Sequence, residues 1–144
     1  MRIYLDNCCF NRPFDDQRQE RVRDETEAKL AIQAQIRSGA LELVWSYMLD
    51  FENDANPFEE RRVTIAQWRK FAIADIVQTD ELIANAAELA RKGLRAKDAL
   101  HVTCAIVGGC QVFLTTDDKI LNRRSVIQDI MVLAPPAFIQ EKSP

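Results

Sequence analysis

The chain has 144 residues, which fits one domain and is short for two. Hydrophobic residues make up 47% of it and charged residues 28%, so a core is expected and disorder or low complexity is excluded. The net charge of −3 excludes a uniformly basic nucleic-acid binder, but not one whose basic groups are gathered in one place.

No stretch approaches the roughly 20 apolar residues of a membrane span. The first apolar run stops at Asp6, too early for a signal-peptide core, so a cytoplasmic protein without membrane contact is expected. Cys8, Cys9, Cys104 and Cys110 show no C-x-x-C spacing, and only His101 offers an imidazole. This argues against structural zinc and for reduced thiols.

Ile3–Leu5 reads as a buried strand, and Asn7–Asp16, with Pro13 and paired acids, as a loop. A helix over residues 17–37 has an imperfect apolar stripe through Val22, Thr26, Leu30, Gln33 and Ile36, and closes at Ser38-Gly39. Leu41–Ser46 is a second strand and Tyr47–Asn53 a short helix. Pro57 sits in the first turn of a helix reaching about Phe71. Ala74–Val77 is a third strand, and Thr79 caps a helix over Asp80–Lys92 that Gly93 stops. Ala96–Val107, apolar on most faces, is a central helix ended by Gly108-Gly109. Val112–Leu114 is a core strand, Asp118–Arg124 a short helix or turn, and Ile130–Leu133 a final strand; Pro135-Pro136 begins a tail. Strands alternating with helices predict an α/β fold: a single three-layer α/β/α domain over 1–144 with a mainly parallel sheet. In such sheets the functional crevice lies beyond the carboxyl ends of the strands.

Acidic residues fall at those ends. Asp6 ends the first strand. Ser46 ends the second, and Glu52 follows six residues later beside apolar Leu49 and Phe51, where a partner or a metal is expected for it. Asp98 lies in the first turn of the central helix, where the helix dipole alone would favour it. Thr115-Thr116-Asp117-Asp118 follows the core strand V-F-L, and Asp118 competes with Asp117 for the fourth place. A turn or capping role would account for any one of these acids. Several at one edge repel one another unless a hard cation compensates them. Mg²⁺ or Mn²⁺ suits such oxygen ligands, and can activate a water against a phosphodiester.

I-Y-L-D ending in Asp6, S-Y-M-L-D-F-E ending in Glu52, A-K-D-A-L-H-V around Asp98 and F-L-T-T-D-D with Asp117 together resemble the PIN-domain family. The resemblance covers most of the chain in order and spacing. It implies a metal-dependent nuclease with Asp6, Glu52, Asp98 and Asp117 as catalytic metal-site residues and Asp118 as a further candidate ligand. Thr115 or Thr116 would hydrogen-bond near the site, with Ser46 in support. It further implies an RNA substrate, a Mg²⁺ or Mn²⁺ cofactor and a homodimer. Many members are VapC-type toxins paired with an antitoxin, which makes a cognate antitoxin an expected partner. Hydrolysis by metal-activated water would leave a 5′-phosphate and a 3′-hydroxyl. Where many PIN domains place a small polar residue two positions after the first aspartate, this chain has Cys8; Asn7 and Asn11 offer polar contacts instead. The stretches C-F-N-R-P-F-D-D and F-E-N-D-A-N-P also depart from the typical toxin.

Basic residues lie near each acid in sequence: Arg12 after Asp6; Arg61, Arg62, Arg69 and Lys70; Arg91, Lys92, Arg95 and Lys97 before Asp98; and Arg123 and Arg124. They frame a phosphate backbone, with Arg12, Arg95 and Lys97 as the candidate phosphate contacts, or they are ordinary solvated helix faces. Trp68 packs in the core or at a dimer contact, or stacks on a base; His101 is a hydrogen-bonded core histidine or lies near the site. Two other classes compete. A receiver- or dehalogenase-like phosphoryl-transfer domain lacks its paired acids or D-x-D here, since the first strand runs into D-N-C. A non-catalytic PIN-like module would bind RNA or a protein without cutting.

Overall fold

Five strands form one sheet in the computed structural model, which describes residues 1–142: β1 (Arg2–Leu5), β2 (Glu42–Ser46), β3 (Ala72–Ile76), β4 (Val112–Leu114) and β5 (Met131–Leu133). Their order is β3-β2-β1-β4-β5, and every neighbouring pair is parallel. Helices flank the sheet: α1 (Asn7–Asn11), α2 (Glu20–Ser38), α3 (Tyr47–Asp54), α4 (Glu59–Ala66), α5 (Asp80–Arg91), α6 (Ala96–Val107), α7 (Asp118–Leu121) and α8 (Pro135–Lys142). This is the three-layer α/β/α sandwich that the alternating pattern predicts. No helix among the described residues is long and apolar enough to cross a membrane.

The strand order sets the place of the site. The chain steps outward from β1 to β3, crosses back, and adds β4 on the other side of β1. The crevice of a parallel sheet opens at that reversal. Leu5 pairs with Leu114, and the Asp6 amide donates to the Leu114 carbonyl at 2.9 Å. Asp6 and the Thr115–Asp118 segment therefore leave the sheet side by side.

Most boundaries follow local chemistry. Thr79 Oγ1 accepts from the Leu82 amide at 3.1 Å and starts α5; Ser46 Oγ accepts from Leu49 at 3.3 Å and starts α3. Gly39 closes α2 at φ 84°. Four expectations need correction. Pro57 lies before α4, which starts at Glu59 with Phe58 as its N-cap, and not in its first turn. The segment after Asp6 is helical, not a loop: Asp6 accepts from the Asn7 amide, and the short α1 turns Cys9 and Phe10 into the core. The C-terminal segment is not a tail, since Pro135 and Pro136 occupy a first helical turn, where no backbone N–H is needed, and Phe138 is buried. The third strand runs Ala72–Ile76, two residues earlier than the pattern suggests, and pairs with β2 through an irregular register at Leu43/Val44.

The core is built on the central strands. Ile3, Tyr4, Leu5, Leu43, Val44, Trp45, Phe113 and Leu114 are all fully enclosed. Tyr4 stacks on Phe113 with ring centroids 5.4 Å apart, and Phe10 meets Trp45 edge-on. Helix α6 approaches β2 at Gly108, where a Cβ would lie 2.7 Å from Val44 Cγ1. Val44 is a stiff, buried β-branched residue that cannot swing away. Gly108→Ala is therefore expected to cost about 1–3 kcal/mol of unfolding free energy in urea denaturation. A wild-type midpoint would show that the helix shifts freely.

Among the described residues, two charged residues are buried outside the site, Glu25 paired with Arg12 and Arg21, and Lys29. Lys29 of α2 is 4% exposed, its ammonium 5.5 Å from the Phe10 ring centroid and 5.9 Å from that of Trp68. No carboxylate pairs with it among the described residues. Burial pushes its pKa down to about 8. A folded value below the ordinary ~10.4 means that the unfolded chain binds the extra proton between those pH values. Stability from this group is therefore lowest below pH 8 and rises toward pH 10.5. Lys29→Met is expected to stabilise the protein by roughly 2–3 kcal/mol at pH 7, with the gain shrinking as pH rises through that window. A gain that stays constant with pH would contradict this. Trp68 is itself buried, with Arg37 stacked over its ring at 4.7 Å, so it packs and does not offer a face to a base.

Candidate active site

A cleft of about 510 Å³ opens at the carboxyl edge of the sheet, and Asp6, Glu52, Asp98 and Asp117 all line it, with Asn7, Cys8, Arg95 and Lys97. Each acid arrives on a different element. Asp6 lies between β1 and α1, Glu52 in α3, Asp98 in the first turn of α6, and Asp117 at the N-cap of α7.

The acids form two sub-sites. Asp6 and Glu52 belong to the first, where one ligand atom from each, and one from His101, all lie within 4.8 Å of one another. Asp6 Oδ2 accepts from Thr115 Oγ1 at 2.8 Å, and Oδ1 from the Asn7 amide at 2.8 Å. His101 Nε2 hydrogen-bonds Glu52 Oε1. In the second, Arg95 joins Asp98 and Asp117: Nε donates to Asp98 Oδ2 and a terminal nitrogen to Asp117 Oδ2, both at 2.6 Å. Asp117 Oδ1 also accepts from the Lys119 amide at 2.9 Å, capping α7.

Electrostatics separates the inner pair. Burial raises the Asp6 carboxyl above the usual aspartate range, against the pull of His101 and the Thr115 hydrogen bond, and the Glu52 charge adds to the rise. Burial alone would raise Glu52 too. The hydrogen bond and charge of His101, with help from Lys97 and Asn7, outweigh it and hold Glu52 below its ordinary value. Two carboxylates so close are costly without a compensating cation.

The residues present fit a hard divalent ion. The donors are carboxylate oxygens, the set that Mg²⁺ and Mn²⁺ favour. Asn7 also lines the cleft, and its Oδ1 is among the few buried side-chain oxygens with no hydrogen-bond partner. A buried carbonyl oxygen without a donor is costly unless a water or a cation faces it.

A family model for the PIN domain matches residues 3–125. The chain belongs to the PIN-domain family. Among curated protein sequences, no relative matches it. Solved structures share the PIN fold at low identity. FitAcB from Neisseria gonorrhoeae aligns with a TM-score of 0.60 at 13% identity, over 92% of this chain and 97% of that one. VapBC-1 from nontypeable Haemophilus influenzae gives 0.59 at 13%, over 94% and 98%. VapBC2 from Rickettsia felis, bound to a DNA fragment from its promoter, gives 0.55 at 12%, over 93% and 98%.

The other sequence candidates of this PIN domain divide cleanly. Asp118 points away from the cleft, held by Arg21 at 2.8 and 2.9 Å, so Asp117 alone of the pair faces the other acids. Thr115 sits on Asp6, whereas Thr116 is buried with an unpartnered hydroxyl. Ser46 lies beneath the cleft, bonded to Tyr4. Asn11 bonds the Asn7 carbonyl and Asn56 and does not line the cleft. Arg12 pairs with Asp15 and Glu25 and lines an adjoining hollow with Arg21 and Lys119, while Arg95 and Lys97 stand in the cleft itself. Arg61 shares Asp15 with Arg12, and Arg69 and Arg91 are paired with Asp75 and Glu88.

Sequence reasoning undervalued His101. It is the buried, hydrogen-bonded histidine expected, but it is also part of the site. The signal was its spacing: three residues after Asp98, on one face of α6. Phe51, whose apolar character suggested a buried surrounding for Glu52, is exposed; it is His101 that encloses Glu52.

Proposed function

We propose that this protein is an endoribonuclease that hydrolyses RNA phosphodiesters with Mg²⁺ or Mn²⁺ held by Asp6, Glu52, Asp98 and Asp117. The observation that carries this reading is the convergence of those four carboxylates, with the unpartnered Asn7 oxygen, in one cleft. A bound divalent ion would supply an activated water and charge stabilisation at the phosphate. The chain's own groups do the rest. Thr115 and the Asn7 amide fix the Asp6 carboxylate. Lys97, and Arg95 once it lets go of an acid, offer cations to the non-bridging phosphate oxygens. The attacking water would give up a proton to solvent as it forms the new P–O bond, the bond to the 3′-oxygen would break, and that oxygen would take a proton from solvent to leave as a hydroxyl.

The family and the VapBC and FitAcB folds support a toxin role, with a small cognate antitoxin as partner. We place the protein in the cytoplasm, as a single-domain homodimer. The second reading, a non-catalytic RNA- or protein-binding module, is favoured by one observation: Arg95 already neutralises Asp98 and Asp117. End analysis of RNA fragments produced by the purified protein with Mn²⁺ tests the chemistry. Products with 5′-phosphate and 3′-hydroxyl ends are expected; 2′,3′-cyclic phosphates would overturn the mechanism.

A further inference from the structure

Beneath Glu52 runs a chain of buried polar side chains that the metal-site reading does not use. Tyr4 Oη lies 2.7 Å from Ser46 Oγ and 2.6 Å from His101 Nδ1, and His101 Nε2 meets Glu52 Oε1. Ser46 and Tyr4 are fully buried and His101 is 1% exposed. Three polar residues from β1, β2 and α6 thus meet in a dry place beneath Glu52 of α3, which opens to the cleft, and each buried group must be satisfied by its neighbours.

The donors order themselves. An ionised carboxylate only accepts, so the proton at that contact belongs to His101 Nε2. In a neutral ring Nδ1 then accepts, and only Tyr4 Oη can give it a proton. Tyr4 in turn accepts from Ser46, whose oxygen is already engaged by the Leu49 amide. Burial raises the Tyr4 phenol well above its usual pKa, consistent with a hydroxyl that keeps its proton. The ring of Tyr4 is immobilised by stacking on Phe113 and by an edge contact with His101.

We propose that Ser46, Tyr4 and His101 form a positioning relay that fixes the His101 tautomer and thereby aims the Glu52 carboxylate at the ion-binding face of the cleft. This deepens, and rests on, the metal-site reading above. His101 is a positioning residue here, not a metal ligand, because both its nitrogens are already engaged. Groups that orient metal ligands in this way commonly change affinity by about 10–100-fold when removed.

His101 is the only histidine in the chain, so its imidazole gives a single set of ¹⁵N signals. Long-range ¹H–¹⁵N spectra of the metal-free protein are expected to show a proton on Nε2, and Tyr4→Phe, which leaves Glu52 accepting from Nε2 but removes the donor to Nδ1, is expected to move the Nδ1 signal toward that of an acceptor nitrogen without a hydrogen bond. A neutral ring protonated on Nδ1 in the wild type would overturn the relay. Mn²⁺ binding followed by calorimetry is the second readout. His101→Leu is expected to weaken it by roughly 10–100-fold. His101→Gln, whose amide nitrogen can stand where Nε2 stands, is expected to stay within about threefold of wild type. Tyr4→Phe, which keeps the ring stack and hence the fold, is expected to fall between them. Equal Mn²⁺ affinity in wild type, His101→Leu and Tyr4→Phe would overturn the relay and leave the metal site standing. A wild type that binds no Mn²⁺ would instead remove the metal-site reading, with the tautomer spectra still deciding the relay.

Discussion

Asp6→Asn is expected to lower metal-dependent RNA cleavage by roughly 100-fold or more, without lowering the melting temperature. The two halves have one cause. Asp6 is buried beside Glu52, and its raised pKa shows that the fold disfavours its charge. Asparagine removes that charge. Its one amide oxygen can still accept from the Asn7 amide, so α1 keeps its cap, while its amide nitrogen can donate to Thr115 Oγ1 where the carboxylate accepted. What it cannot do is contribute negative charge to the ion. Single-turnover cleavage and a thermal melt on the same preparation check both halves. A variant that cuts normally, or one inactive only because it has unfolded, would contradict the assignment.

Phe113→Ala is expected to lower the unfolding free energy by about 3–5 kcal/mol. Phe113 lies on central strand β4, is fully enclosed, and its stack on Tyr4 leaves little that can collapse into the gap. That loss is a large share of the roughly 5–15 kcal/mol that holds a domain of this size together. Urea denaturation should show a lower midpoint at unchanged slope. A loss below about 1 kcal/mol would mean that the core around β4 repacks.

The long elements were legible because their signals are local. Thr79, Ser46 and Gly39 carry their own capping chemistry, and α6 runs over the residues that its apolar pattern marks out. The elements that were missed have no such signal. α1 is too short to show a period, and only its tertiary fit reveals that Cys9 and Phe10 turn inward. β3 is an edge strand with alternate residues half exposed, so composition marks its ends poorly. The Pro-Pro pair of α8 reads equally as a break or as a helix start.

The sequence put Asp6, Glu52, Asp98 and Asp117 at strand ends or in helix turns, and all four line one cleft because strand carboxyl ends and helix N-terminal turns share one edge of a parallel sheet. It had no means of choosing between Asp117 and Asp118. That choice depends on Arg21 of α2, 97 positions from Asp118 in the chain, drawing Asp118 aside. Nor could it separate free cations from spent ones. Arg12, Arg61, Arg69 and Arg91 are paired with carboxylates outside the cleft, whereas Arg95 and Lys97 line it, Arg95 already bonded to Asp98 and Asp117.

The most direct test of the central claim is cleavage of a mixed pool of labelled RNAs by wild type and Asp98→Asn, each with Mn²⁺ and with EDTA. Cutting by wild type with Mn²⁺ alone, lost in the variant and in EDTA, is the expected result. Cutting that survives EDTA or the substitution would contradict it, as would a folded wild type that cuts none of the RNAs.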